Sequence, residues 1–279
     1  LNAMHSQNTI TRQMDLTLPA LTFNVNRFFP FKRENAVRQN VLDKIQVSYL
    51  LEAKNTLSGR DSTIFKGNPL DSLNYGMKHT IPISTNFNLF KYITVTPGLN
   101  FSSVMYAKSE NKTYTESADR TAYKVTTNLV KQPVVGYDAS FSTSFNTKLY
   151  FDYSFKKGRF KQIRHLLVPT LTYNYRPDFG ASHFGFWKKV QTDTAGHYQN
   201  YSIFEKGIFQ GPALGKSNSL GINLNNTLDA KMKQKTDTGF TYKKVSLLQN
   251  VGLVTNYNFA ADSFKLSNLS LTARTLLFK

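Results

Sequence analysis

The side chains in this chain that could do chemistry are spaced for hydration and ionic contact rather than for bond making. Cysteine is absent, which excludes a thiolate metal site, a cysteine nucleophile and a disulfide scaffold. The five histidines, His5, His79, His165, His183 and His197, are scattered, and no H-E-x-x-H spacing occurs. No G-x-S-x-G stands in the sequence to present a serine nucleophile. No spacing asks for a metal or a cofactor, and the chain does not read as an enzyme. What remains is a set of polar residues at alternate positions of extended segments. They are Asn100, Asp138, Asn146, Lys148, Asp152, Asn174, Asn223, Asn225, Asp229 and Arg274. Side chains of a strand alternate faces, so this set shares the wet side of several ribbons and is read as lumen-facing. There it hydrates a channel or, as with Asp138 and Lys148, locks neighbouring strands by pairing.

The elements that position these residues are long two-faced strands. Over residues 135–155 the odd positions run Val, Tyr, Ala, Phe, Thr, Phe, Thr, Leu, Phe, Tyr, Phe, and the even ones are mostly Ser, Asp, Asn and Lys. Strands of soluble proteins usually end after ~5–6 residues, whereas this ribbon can run for roughly twenty. The same alternation recurs from Ile45, Met77, Ile93, Leu167, Leu220, Leu253 and Leu269 (to Leu277), and in the opening 10–18 stretch. About ten strands are expected, each meeting the ~9–11 residues that a tilted strand needs to cross a bilayer. The fold class expected is all-β, an antiparallel transmembrane β-barrel, present as a partial barrel within one domain over residues 1–279.

Polar connections are expected at 59–75, 109–120 and 176–217, and tight ones at 88–92, 156–160 and 262–265. Barrels of this type keep short turns at one end and long loops at the other. On a ten-strand count, 109–120 and 176–217 fall at opposite ends, a conflict that a strand divided at Pro19 would explain. Pro82, Pro97, Pro133 and Pro169 sit inside apparent strands and cannot donate ladder bonds. Each marks a bulge or, alternatively, a weakened pairing at a seam that opens sideways.

Mean hydropathy is −0.38, and nowhere do ~18 apolar residues run together as a membrane helix requires. A barrel strand shows lipid only alternate residues, so low hydropathy is compatible with it. The net charge is +18. Basic residues cluster at Lys32, Arg33, Arg38 and Lys44; at Lys156, Lys157, Arg159, Lys161 and Arg164; at Lys231, Lys233 and Lys235; and at Lys243 and Lys244. They form a solvated rim or contact lipid phosphates in the outer leaflet through charge-assisted bonds. Trp187, beside Phe184 and Phe186, is an interfacial aromatic or part of a small loop core. The first residues, LNAMHSQNTI, have no basic and apolar regions of a signal peptide, so an internal or C-terminal piece of a larger exported protein is expected.

Several segments carry a resemblance. LPALTFNVNRFFPFKR at 18–33, GMKHTIPI at 76–83, RHLLVPTLTYNYRPDF at 164–179, YSIFE at 201–205 and GKSNSL at 215–220 occur in the order expected of one family. Together they make the chain similar to the LptD lipopolysaccharide-assembly family in its Bacteroidetes-type form. The resemblance implies an outer-membrane barrel that delivers lipopolysaccharide to the outer leaflet through its lumen and a lateral strand opening. It also implies a plug lipoprotein of the LptE type and contact with outer-membrane lipid. A periplasmic LptA-like bridge would be reached through an N-terminal jellyroll that this chain lacks. A general outer-membrane porin or uptake channel is the alternative, since it predicts the same strands. A nucleic-acid-binding β protein is disfavoured because aromatics and charges lie on opposite faces rather than sharing one.

Overall fold

The computed structural model describes residues 1–34, 38–64, 66, 73–117, 122–236 and 239–275. Alternation of apolar and polar residues produces strands almost throughout. In chain order these are β1 (Asn2–Asn8), β2 (Gln13–Phe28), β3 (Gln46–Arg60), β4 (Leu73–Ser84), β5 (Phe87–Leu89), β6 (Ile93–Tyr106), β7 (Ser109–Glu116) and β8 (Tyr123–Val130). There follow β9 (Val134–Asn146), β10 (Leu149–Ser154), β11 (Phe160–Arg176), β12 (Trp187–Gln191), β13 (Tyr198–Ser202), β14 (Ser217–Thr236), β15 (Gly239–Asn258) and β16 (Ser270–Arg274). Two single-turn 3-10 helices, Leu42–Lys44 and Ser182–Phe184, lie in connections.

One antiparallel sheet holds twelve of these strands in the order β1-β2-β3-β4-β6-β9-β11-β14-β15-β16, with β5 on β6 and β10 on β11. Sequence order and spatial order agree, so the sheet is an up-and-down meander. Among the described residues β1 and β16 are unpaired on their outer sides, and the sheet is open rather than closed on itself. The expected all-β fold and the count of about ten are therefore what the sheet shows.

Two pairs of strands are single ribbons interrupted once. Asn146 stands opposite Thr170 and Leu149 opposite Leu167, so β9 and β10 keep one register along β11. Likewise Ser84 faces Gly98 and Phe87 faces Val95, so β4 and β5 keep one register along β6. The interruptions fall opposite prolines: Thr147 donates its N–H to the Pro169 carbonyl at 3.4 Å, and Thr85 to the Pro97 carbonyl at 3.1 Å. An antiparallel pair of this kind exchanges two bonds, and proline cannot return the second. At Pro82 the ladder to β3 skips positions between Val47–Ile83 and Leu50–Thr80, again without a change of register. These three prolines therefore delete bonds rather than make bulges. Pro133 precedes β9, outside any strand. Pro19 does not divide β2, which passes through it with a register shift between Thr17 and Ala20.

The loop conflict disappears. Only the β9–β10 ribbon and β11 separate the connection at 107–133 from that at 177–216, so both leave the same end of the sheet. The strand β8 pairs with β7 in a hairpin outside the main sheet. The long-loop end also carries 61–64, the turn at 9–12 and the connection at 259–269, which contains the expected tight 262–265. The opposite end carries 90–92, 155–159 and the Thr236–Gly239 pair that ends the β14–β15 ladder, together with the longer connection from Phe29 to Ile45. Residues 65, 67–72 and 118–121 of the expected loops, and Leu277, lie outside the described residues.

Candidate functional site: the polar face and its covering loop

Register assigns every strand residue to one of two faces. On one face, rows such as Val47–Ile83–Leu99–Phe141–Tyr175 and Val95–Phe145–Leu171–Ile222 run across the sheet. Phe23, Leu99, Phe141, Phe145, Phe151 and Leu171 are among its exposed members. Exposed apolar area on this scale needs an apolar environment. His79 and His165 on this side are satisfied: His79 Nδ1 lies 2.7 Å from the Tyr49 hydroxyl, and His165 Nε2 lies 3.0 Å from Asn226 Oδ1.

The other face collects the residues that alternation singled out. Thr94, Asn146, Thr170 and Asn223 make one row, and Ser142, Asn174 and Ser219 another. Asn100 faces Ser140, Ser102 faces Asp138, Asn225 faces Gly252 and Arg274 faces Asn250. From β6 to β14 the middle of this face is thus amide and hydroxyl with Asp138 as its carboxylate, whereas on β3 and β4 it carries Glu52, Lys54 and Lys78. Asn223 Oδ1 is buried there without a hydrogen-bond partner among the described residues.

Asp138 and Lys148 do not pair. They lie on one ribbon, ten residues or roughly 33 Å apart at strand rise, and Asp138 instead accepts a bond from Ser102 Oγ at 2.7 Å. The ionic contacts run across strands. Arg164 Nε and Nη2 reach the Asp152 carboxylate at 2.7 and 3.0 Å, Gln162 donates to the same carboxylate at 3.0 Å, and Lys244 Nζ meets Asp229 at 2.8 Å. Alternation identified the two acids but not their partners, because partners are set by register between strands.

At the long-loop end the segment 177–216 folds back onto the polar face. Gly136 shows why it can: a Cβ there would sit 2.8 Å from the Phe204 ring and 3.0 Å from Pro212 Cδ. Gly211 lies as close, with a Cβ site 2.3 Å from the same ring. The Tyr106 hydroxyl donates to the Gln210 carbonyl and accepts from the Phe209 N–H, both at 2.9 Å. Phe179, Phe186, Ile203 and Phe204 join Val104 and Tyr106 in a buried cluster. Tyr137 presents its ring edge-on to Phe179, Phe184 and Phe186. Trp187 packs against the same cluster and donates Nε1–H to the Pro212 carbonyl at 2.8 Å, which makes it part of the loop's own core. The sequence signalled these aromatics but not the glycines opposite them.

The β7–β8 hairpin clips this loop from the side. Glu110 N–H donates to the Ile203 carbonyl at 2.9 Å and Lys112 N–H to the Tyr201 hydroxyl at 3.1 Å. Two ion pairs cross the same junction, Lys206 to Glu110 at 3.5 Å and Lys112 to Glu205. Glu110 is 3% exposed, so its charge relies on that junction.

All four basic clusters lie at the opposite, short-turn end. Lys32, Arg33, Arg38 and Lys44 belong to the 29–45 connection; the others flank 155–159 and 237–238. Within 29–45, Arg33 grips the buried Asp43 with Nε at 2.9 Å and Nη2 at 2.7 Å. The Asn40 N–H adds a third bond at 2.6 Å. The Arg33 hydrogen bond, then that from Asn40, holds the Asp43 carboxyl well below the usual carboxylate range.

An up-and-down antiparallel sheet of long strands, apolar on one face and polar on the other, is the architecture of outer-membrane barrel proteins, here as an open sheet among the described residues. Its short turns and long loops at opposite ends belong to the same class. The family model described as LptD protein matches residues 1–279, and the chain belongs to that family. No curated protein and no solved structure matches it. The family works in lipopolysaccharide transport at the outer membrane, as a transport and assembly protein rather than an enzyme.

Proposed function

We propose that the polar face lines a lumen that carries the lipopolysaccharide headgroup, while the apolar face meets acyl chains of the outer membrane. The observation that carries this reading is the segregation of whole rows, Thr94–Asn146–Thr170–Asn223 on one side and Val95–Phe145–Leu171–Ile222 on the other. A phosphorylated sugar headgroup cannot cross hydrocarbon unsolvated, and the amide-and-hydroxyl rows between β6 and β14 offer it hydrogen bonds without trapping it on a fixed charge. Short turns of such barrels face the periplasm, which orients the basic end toward supply and the loop-covered end toward the exterior. The acyl tails leave sideways between strands. The bonds deleted at Pro82, Pro97 and Pro169 favour such a lateral opening by loosening the ladders around them. A plug lipoprotein within the lumen and a periplasmic bridge docking through a jellyroll of the whole protein complete the reading.

The test places photo-crosslinking residues at Asn146 and Asn223 in the whole protein in cells, with Phe145 and Leu171 as the apolar-face comparison. Lipopolysaccharide adducts at the first two should vanish when its supply is stopped, while lipid adducts at the second two persist. A porin or uptake channel would give no supply-dependent adduct at either polar position, and its depletion would leave surface lipopolysaccharide unchanged.

A further inference from the structure

We infer that the short-turn end of the polar face holds a phosphate-binding site between β11, β14 and β15, formed by Gln162, Arg164, Lys231 and Lys244. Segments 148–164 and 229–244 are neighbours in the sheet and carry eleven Lys and Arg against three Asp. Register sets Lys231 directly opposite Lys244. Like charges at opposed positions destabilise a strand pair; Asp229 offsets the charge of Lys244, and that of Lys231 remains. A cavity of about 110 Å³ opens there, lined by Gln162, Arg164, Asp229, Ala230, Lys231 and Lys244.

The two acids hold and offset two of the three cations, which leaves Lys231 as the pocket's net charge. Asp152 takes Nε and Nη2 of Arg164, and Asp229 takes Nζ of Lys244. Lys231 has no ion pair of its own among the described residues and contributes positive potential beside Asp152. Next along the same face, Lys233 Nζ sits 3.8 Å from the centroid of the Phe240 ring. A phosphomonoester carries about −1.5 to −2 charges at neutral pH; three cations against two carboxylates leave this pocket one net positive charge, that of Lys231, with Gln162 beside it as a neutral donor. Bonds from Lys and Arg to such an anion are charge-assisted and short. The contrast with the amide-and-hydroxyl rows between β6 and β14 is functional: a site that captures belongs at the entrance, and a surface that releases belongs beyond it. That the phosphate comes from the headgroup of a transported glycolipid rests on the transport reading above; free phosphate presents the same chemistry.

The test titrates the intact, full-length protein in detergent with three probes. These are inorganic phosphate, a phosphorylated lipopolysaccharide and the same lipopolysaccharide after phosphatase treatment. The double variant Lys231→Gln/Lys244→Gln should bind both phosphate-bearing probes at least tenfold more weakly. Lys231→Arg/Lys244→Arg should bind them like the parent, and Gln162→Ala should give a smaller loss in the same direction. Binding of the phosphatase-treated probe should be indifferent to all three. Loss of inorganic phosphate binding in the Gln variant, with no glycolipid bound by any form, upholds the site while counting against the transport reading. Equal binding of both phosphate-bearing probes by parent and Gln variant, or no binding of either by the parent, overturns the proposal.

Discussion

Pro169 stands opposite Thr147, and the bond its ring nitrogen cannot donate is missing where the ribbon formed by β9 and β10 is interrupted. Pro97 stands in the same relation to Thr85, between β4 and β5. In both cases the threonine hydroxyl turns to a neighbouring connection instead: Thr147 to the Tyr92 carbonyl at 2.8 Å, Thr85 to the Val41 carbonyl at 3.1 Å. The sheet stays in register across each gap, so the interruption is local and removes one bond.

Pro169→Thr should therefore restore that bond and stabilise the sheet by about 1 kcal/mol, the usual net worth of a ladder bond. Hydrogen exchange of backbone amides in 145–150 should slow, and the urea midpoint should rise. If strand separation contributes to transport, surface lipopolysaccharide should fall in the same variant despite its greater stability.

Gly136→Val should lift the covering loop. Its side chain would meet the Phe204 ring and Pro212, and overpacking of this kind costs roughly 1–3 kcal/mol. The expected result is faster tryptic cleavage after Lys206 and Lys216, with the sheet itself intact. Phe204→Ala in the Gly136→Val background should relieve the clash and restore part of the protection.

The junction between hairpin and loop should behave asymmetrically. Lys206→Met removes a mostly exposed charge but leaves the buried Glu110 without its ion-pair partner. Lys112→Met acts on a pair whose acid, Glu205, is half exposed. The first substitution should loosen the loop more than the second, since stranding a buried charge costs more than losing a surface pair. Protease protection of 198–207 measures the difference.

Asp43 gives the 29–45 connection a defined acid response. Its folded value is depressed by Arg33 and by the Asn40 and Arg33 amides. The stabilisation is then complete above the unfolded carboxylate value near ~4. It is lost only as pH falls through the lower folded value. Exchange protection of 38–44 should be flat from pH 7 to about 4 and decline below that. Asp43→Asn should weaken protection at every pH and abolish the dependence.

What residue order alone determined here is the period-2 alternation, because strand side chains alternate faces whatever their neighbours are. That periodicity sorted Asn100, Asn174 and Asn223 from Phe141, Phe145 and Leu171 without any knowledge of pairing. The basic clusters and the prolines were equally plain. Tertiary structure decided everything that depends on which strands lie side by side. Arg164 meets Asp152, and Lys231 opposes Lys244, only because register brings them level. Tyr123–Val130 leaves the main sheet for a hairpin, which puts both long loops at one end. Phe204 finds Gly136 because a loop folds back across some seventy residues of chain, a contact that no local pattern encodes. Local sequence sets the face on which a side chain lies; the energy of long-range pairing sets what it meets there.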